Sequence, residues 1–100
     1  MPTGVGTWPA VWMLGSNIGT VGWPKCGEID ILESVGKNID QNHSSLHSEG
    51  RSGATPDTGI IKVPNSNTEF HIYKADWTAT YIKFYVDDKL YYTFINSDKF

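Results

Sequence analysis

The run Gly27-Glu28-Ile29-Asp30-Ile31-Leu32-Glu33 sets three carboxylates among branched apolar residues of the kind that favour a strand. In an unbroken strand side chains alternate faces, so Glu28 and Asp30 share one face while Glu33, five residues beyond Glu28, points to the other. One extra residue at Ile31 or Leu32, a β-bulge, shifts the alternation by one and returns Glu33 to the face of the other two acids. Three carboxyls then line one cleft, with the apolar residues packed behind them. Acids that close cannot all ionise independently, and a proton shared among them separates a proton donor from a nucleophile or base. Two other readings fit the same letters. One is an amphipathic edge strand with solvated acids. The other is a calcium site, although calcium ligands come mostly from loops and carbonyls rather than from a bare strand face.

The elements that must position these acids all read as β. Trp8 to Leu14 is an apolar run that suits a buried strand, followed by a turn-rich stretch from Gly15 to Pro24. The acidic strand covers Ile29 to Val35, and His43 to His47 is a short strand facing it across the loop at Gly36 to Asp40. Gly50 to Gly59 reads as loop. Phe70 to Trp77 alternates in the strand manner, and Tyr81 to Val86 and Leu90 to Phe94 flank Asp87-Asp88-Lys89 as the arms of a hairpin. No helical periodicity, internal repeat or linker-like change of composition interrupts this pattern, so a sheet sandwich is expected. Sheet edges at both ends would lie open, which reads as an internal piece of one longer domain.

Composition narrows the classes. With 39% apolar and 13% aromatic residues in 100, the chain can build a core, and the composition argues against disorder. The formal net charge of -3 comes from scattered charges with no basic stripe, which argues against nucleic acid and for a neutral substrate. Cys26 is the sole cysteine, so an internal disulfide and a cysteine-based zinc site are excluded. The first residues lack the charged and apolar regions of a signal peptide, and no apolar run is long enough to span a bilayer.

Glu28-Ile29-Asp30-Ile31-Leu32-Glu33, preceded by Trp23-Pro24 and by the run from Gly6-Thr7-Trp8-Pro9 to Leu14-Gly15, resembles the bacterial laminarinase branch of glycoside hydrolase family 16. Ser45-Leu46-His47, Phe70-His71-Ile72-Tyr73, Trp77 and the hairpin from Ile82 to Tyr92 look like the family's later strands in the expected order. The resemblance implies a concanavalin A-like β-jelly roll sandwich, with residues 1–100 as part of a single catalytic domain truncated at both ends. It implies a retaining endo-hydrolase that cleaves β-1,3-glucan of the laminarin type, or mixed-linkage β-glucan, through a glycosyl-enzyme. By the same resemblance Glu28 is the nucleophile, Glu33 the acid/base and Asp30 the helper between them.

Retaining glycosidases hold two carboxyls roughly 5 to 5.5 Å apart. Four strand steps of ~3.3 Å put the Cα atoms of Glu28 and Glu33 roughly 13 Å apart, so both side chains must lean inward over Asp30. A proton shared between Asp30 and Glu28 would orient the nucleophile, while repulsion would keep Glu33 protonated for the first step. One departure from the family pattern is Asp88, where the hairpin turn usually carries glycine, and it bears on turn geometry. The same acids serve family members acting on galactans such as agar or carrageenan. A non-catalytic β-glucan-binding protein on this fold would keep the cleft and lose acids, whereas all three stand here.

Aromatic faces stack on the apolar faces of sugar rings, and Trp23, five residues before Glu28, is the first candidate platform, at a position that lines subsites in the resembled family. Trp8 and Trp12 are candidates for sugar contact or for core packing, and Trp77 for the core. His47 falls on the strand beside the acids and matches a family active-site position, whereas His43 and His71 read as structural. No histidine pair has a third ligand at metal-binding spacing, so neither a metal nor a cofactor is expected. Asn42-His43-Ser44 fits the short glycosylation pattern, which often arises by chance. The expected partner is a polysaccharide bound by a monomer, and the size of such a substrate points to an extracellular or periplasmic location.

Overall fold

A computed structural model describes residues 1–96. The alternation of apolar and polar residues resolves into strands β1 (Ala10–Leu14), β2 (Glu28–Glu33), β3 (Gln41–His47), β4 (Asp57–Lys62), β5 (Tyr73–Trp77), β6 (Tyr81–Val86) and β7 (Lys89–Ile95), with one helical turn α1 (Ile18–Val21). Two antiparallel sheets form, in the orders β1-β2-β3-β4 and β5-β6-β7. The clearest period-two strand is β6, where Ile82, Phe84 and Val86 all turn inward and are buried.

The sheets meet face to face, β4 against β7 and β2 against β5. Leu46, Ile82 and Phe84 form the centre of the core, with Ile29, Ala75, Tyr91, Tyr92 and Phe94 packed around them. The rings of Phe84 and Tyr92 stack with centroids 5.9 Å apart. Gly59 marks the closest approach of β4 to β7, because a Cβ there would lie 2.3 Å from Cβ and Cγ of Tyr92. An all-β sandwich is therefore the architecture, as the sequence predicts.

The hairpin turn resolves the departure at Asp88. Val86 pairs with Lys89, leaving Asp87 and Asp88 as a two-residue turn with φ of 49° and 64°. Short acidic side chains tolerate this left-handed region better than most. The Asp87 carboxylate accepts the Ile72 N–H at 2.9 Å and lies 2.6 Å from His71 Nδ1, so the turn is tied to the entry of β5.

Several expectations change, beginning with β1, which is exposed along its whole length rather than buried, and with β5, which starts at Tyr73 rather than Phe70. Gly50 to Gly59 is not all loop, since Asp57 begins β4 and pairs with Leu46. Glycine and proline at 53, 56 and 59 mask a segment whose strand character comes from pairing with β3. A single helical turn interrupts the stretch from Gly15 to Pro24. Trp77, expected in the core, is 66% exposed at the end of β5. Among the described residues no helix is long and apolar enough to cross a membrane.

Candidate active site

The acidic strand carries the bulge that its spacing demands. On the β1 side Val11 pairs with Leu32 and Trp12 with Asp30, so Ile31 has no partner there. On the β3 side Asp30 pairs with Ser45 and Glu33 with His43, leaving Ile31 and Leu32 together opposite Ser44. The shift brings Glu28, Asp30 and Glu33 into one cleft of about 350 Å³, walled by Trp8, Ala10 and Trp12.

Each glutamate receives an indole N–H. Trp8 Nε1 donates to Glu33 Oε1 at 3.2 Å, and Trp23 Nε1 donates to Glu28 Oε2. Trp8 reaches Glu33 because the ladder continues past the end of β1. Ser34 N–H donates to Pro9 O at 3.1 Å, and Gly36 N–H donates to Thr7 O at 2.9 Å. Any side chain at Gly36 would collide with Gly4 O, 1.9 Å from a Cβ placed there, so glycine is what lets this loop close over β2.

Asp30 lies between the two glutamates and is only 1% exposed. Burial first, then repulsion from Glu33 and Glu28, pushes its carboxyl up to about 8, and hydrogen bonds to Glu28 and Glu33 add to the effect. At neutral pH Asp30 thus keeps its proton between the two glutamates. His47 Nε2 lies 3.1 Å from Asp30 Oδ2, at ion-pair distance but outside hydrogen-bond geometry. The Trp23 ring tilts over His47 with centroids 5.8 Å apart. The arrangement offers two carboxyls oriented by N–H donors and a third that stores a proton between them.

All of residues 1–100 match the sequence profile of the Glycosyl hydrolases family 16. The chain belongs to glycosyl hydrolase family 16. It is 45% identical over 100 residues to a beta-glucanase of Rhodothermus marinus, an alignment that covers 96% of this chain and 35% of the relative. A glucan endo-1,3-beta-glucosidase of Cryptopygus antarcticus is 36% identical, with 93% of this chain and 36% of the relative covered. The crystal structure of a laminarinase from Flavobacterium sp. UMI-01 superposes with a TM-score of 0.94 at 50% identity, covering 100% of this chain and 44% of that one. The chain therefore spans less than half the length of these relatives.

This family 16 chain brings together every site residue expected from the sequence. Glu28, Asp30 and Glu33 share the cleft, and His47 stands opposite Glu28 on β3. Trp8, Trp12 and Trp23 are 68%, 52% and 45% exposed, which decides for all three against the core. Asp30 holds a proton because burial, the largest effect, acts on it along with repulsion from its neighbours. Glu28, Asp30 and His47 can each aim one ligand atom within 4.8 Å of the others, so they are the described residues able to grip a cation. A cation there would have to displace the proton that Asp30 holds.

Two features escape the sequence reading. His43 is not merely structural: it pairs with Glu33 and lines a hollow of about 460 Å³ that extends the cleft beside Ser45, Gly53, Ala54 and Pro56. Its parity with His47, four residues on, is the signal that could have found it. The loop carrying Gly53 to Pro56 is braced by an ion pair between Arg51 and Asp57. A separate apolar cavity of about 320 Å³ lies at the end of the core between Met13, Ile29, Leu46, Trp77 and Phe94. Trp77 is part of its wall, and Glu28 and His47 border it at the end next to the acids.

Proposed function

We propose that the protein carrying this chain is a retaining endo-glycoside hydrolase that cleaves β-1,3 bonds of laminarin-like or mixed-linkage β-glucans. The observation that carries this reading is the pair of glutamates on one bulged strand, each held by an indole N–H, with a protonated Asp30 between them. Glu28 attacks the anomeric carbon while Glu33 gives its proton to the departing glycosidic oxygen, forming a glycosyl-enzyme. Glu33 then takes a proton from water, whose oxygen displaces Glu28 from the sugar, so both carboxyls regain their starting states and configuration is retained. The proton on Asp30 hydrogen-bonds to the glutamates and limits the charge gathered in the cleft.

The exposed faces of Trp8, Trp12 and Trp23 suit successive sugar rings of a polymer, and a cleft open along the sheet favours internal cleavage. Relatives named for glucan and 1,3-glucan cleavage support glucan over galactan. A polymeric substrate of this size favours an extracellular or periplasmic monomer. The test is reducing-end release from laminarin, lichenan and agarose by the full-length protein and its Glu28→Gln variant. Release from laminarin that vanishes in the variant is expected. Release from agarose alone would overturn the substrate, and undiminished release by the variant would overturn the nucleophile.

A further inference from the structure

The core beneath the acids holds a chain of polar groups where a sandwich interior ordinarily holds aliphatic side chains. Asn42 and Ser44, on the inner face of β3, are both 0% exposed, and Tyr91 reaches them from β7 in the opposite sheet. Asn42 Nδ2 donates to Tyr91 Oη at 3.0 Å, Ser44 Oγ bonds Tyr91 Oη, and Ser44 Oγ donates to Ile31 O at 2.8 Å. A serine hydroxyl has one proton. Since that proton goes to Ile31, the Tyr91 hydroxyl must donate to Ser44 and accept from Asn42. The direction is fixed from one sheet to the other: Asn42 amide to Tyr91, Tyr91 to Ser44, Ser44 to the backbone carbonyl of the bulge.

Ile31 is the residue that the bulge leaves without a partner on β1. A backbone carbonyl freed in this way needs another donor, because an unsatisfied buried acceptor is costly. Straightening β2 by one residue would satisfy it within the ladder, and would also send Glu33 to the other face. We propose that Asn42, Tyr91 and Ser44 are positioning residues that lock the Ile31 bulge and so fix where Glu33 stands relative to Glu28. The inference rests on the glycosidase reading of those two acids for its consequence in rate. The lock itself has a readout that does not depend on activity.

The experiment uses the full-length protein with Ser44→Thr, Ser44→Val and Tyr91→Phe. Thr and Val differ by a hydroxyl in place of a methyl, so any cost of added volume is common to both, and Tyr91→Phe removes only the phenolic oxygen. On laminarin, Ser44→Val is expected to have kcat about 10- to 100-fold below Ser44→Thr with KM within about twofold, and Tyr91→Phe to fall likewise below wild type. Amide hydrogen exchange at Leu32 to Ser34 is expected to be about tenfold faster in Ser44→Val than in Ser44→Thr. Equal kcat and equal exchange in the Thr and Val forms would overturn the lock, as would a fall in KM-dependent binding alone. Wild-type protein silent on laminarin, lichenan and agarose would instead sink the glycosidase reading, while the exchange comparison would still decide the lock. Should both Ser44 variants fail to fold, Tyr91→Phe decides: unchanged kcat and exchange in it would overturn the proposal.

Discussion

Replacing Asp30 with asparagine keeps the shape of a protonated carboxyl and an N–H donor toward the glutamates, but removes the titrating proton. Between its ordinary value of 3.8 and about 8, the folded protein holds a proton on Asp30 that the unfolded chain has lost. Stability then changes with pH as the unfolded-minus-folded difference in bound protons, which is negative here, so stability falls as pH rises. The contribution is fully present below about pH 4 and is lost as pH climbs through about 8. At ~1.4 kcal/mol per pH unit for one proton, a span of roughly four units amounts to on the order of 5 kcal/mol. Urea unfolding of the full-length protein and its Asp30→Asn variant, at matched m-values from pH 4.5 to 8.5, reads this residue together with its coupling to Glu28 and Glu33, because titrations away from the cleft are common to both. The wild-type curve is expected to fall relative to that of the variant by several kcal/mol across the range. Parallel curves would refute the assignment of the stored proton to Asp30 and with it the division of labour drawn for the cleft.

Two further outcomes follow from the geometry. Glu33→Ala is expected to lower laminarin hydrolysis by about 100-fold or more, while an aryl β-glucoside with an acidic phenol loses far less in its first step, because that leaving group departs without proton transfer; equal losses on both substrates would remove Glu33 from the acid role. Gly59→Ala would drive a Cβ into the ring of Tyr92, and is expected to lower stability by about 1–3 kcal/mol, measured as a lower urea midpoint at unchanged m-value; an unchanged midpoint would mean that the sheets part there without cost.

The acidic strand was legible because its chemistry contradicts its periodicity. Three acids in a run that otherwise favours a strand can share a face only through a bulge, so spacing alone put the extra residue at Ile31 or Leu32, and both pairings of β2 agree with that position. The hairpin from Tyr81 to Ile95 was legible for the opposite reason, since every inward position on β6 is apolar. What escaped was structure made by neighbours rather than by local pattern. Strand β4 contains Gly59, which no propensity scale favours there, yet the approach of Tyr92 makes glycine the residue that fits. Trp77 sits in an alternating strand whose inward face ends at a cavity, so its apolar character did not translate into burial.

The polar residues of β3 show why the site was only half visible. The sequence reads a short strand over His43 to His47, and in the structure β3 runs from Gln41, its alternation separating two sets. His43, Ser45 and His47 face the acids, whereas Asn42, Ser44 and Leu46 face the second sheet. Read alone, Asn42-His43-Ser44 suggests a glycosylation acceptor, but Asn42 is 0% exposed and its amide is committed to Tyr91. Burial thus turns a surface motif into a core device. Because one strand carries both sets, the groups that flank the carboxyls and the groups that hold the bulge move together. A displacement of β3 would therefore disturb His47 beside Asp30 and the support of Ile31 at once. The geometry of the cleft is set from both faces of the same sheet, and only one of those faces looks out on the cleft.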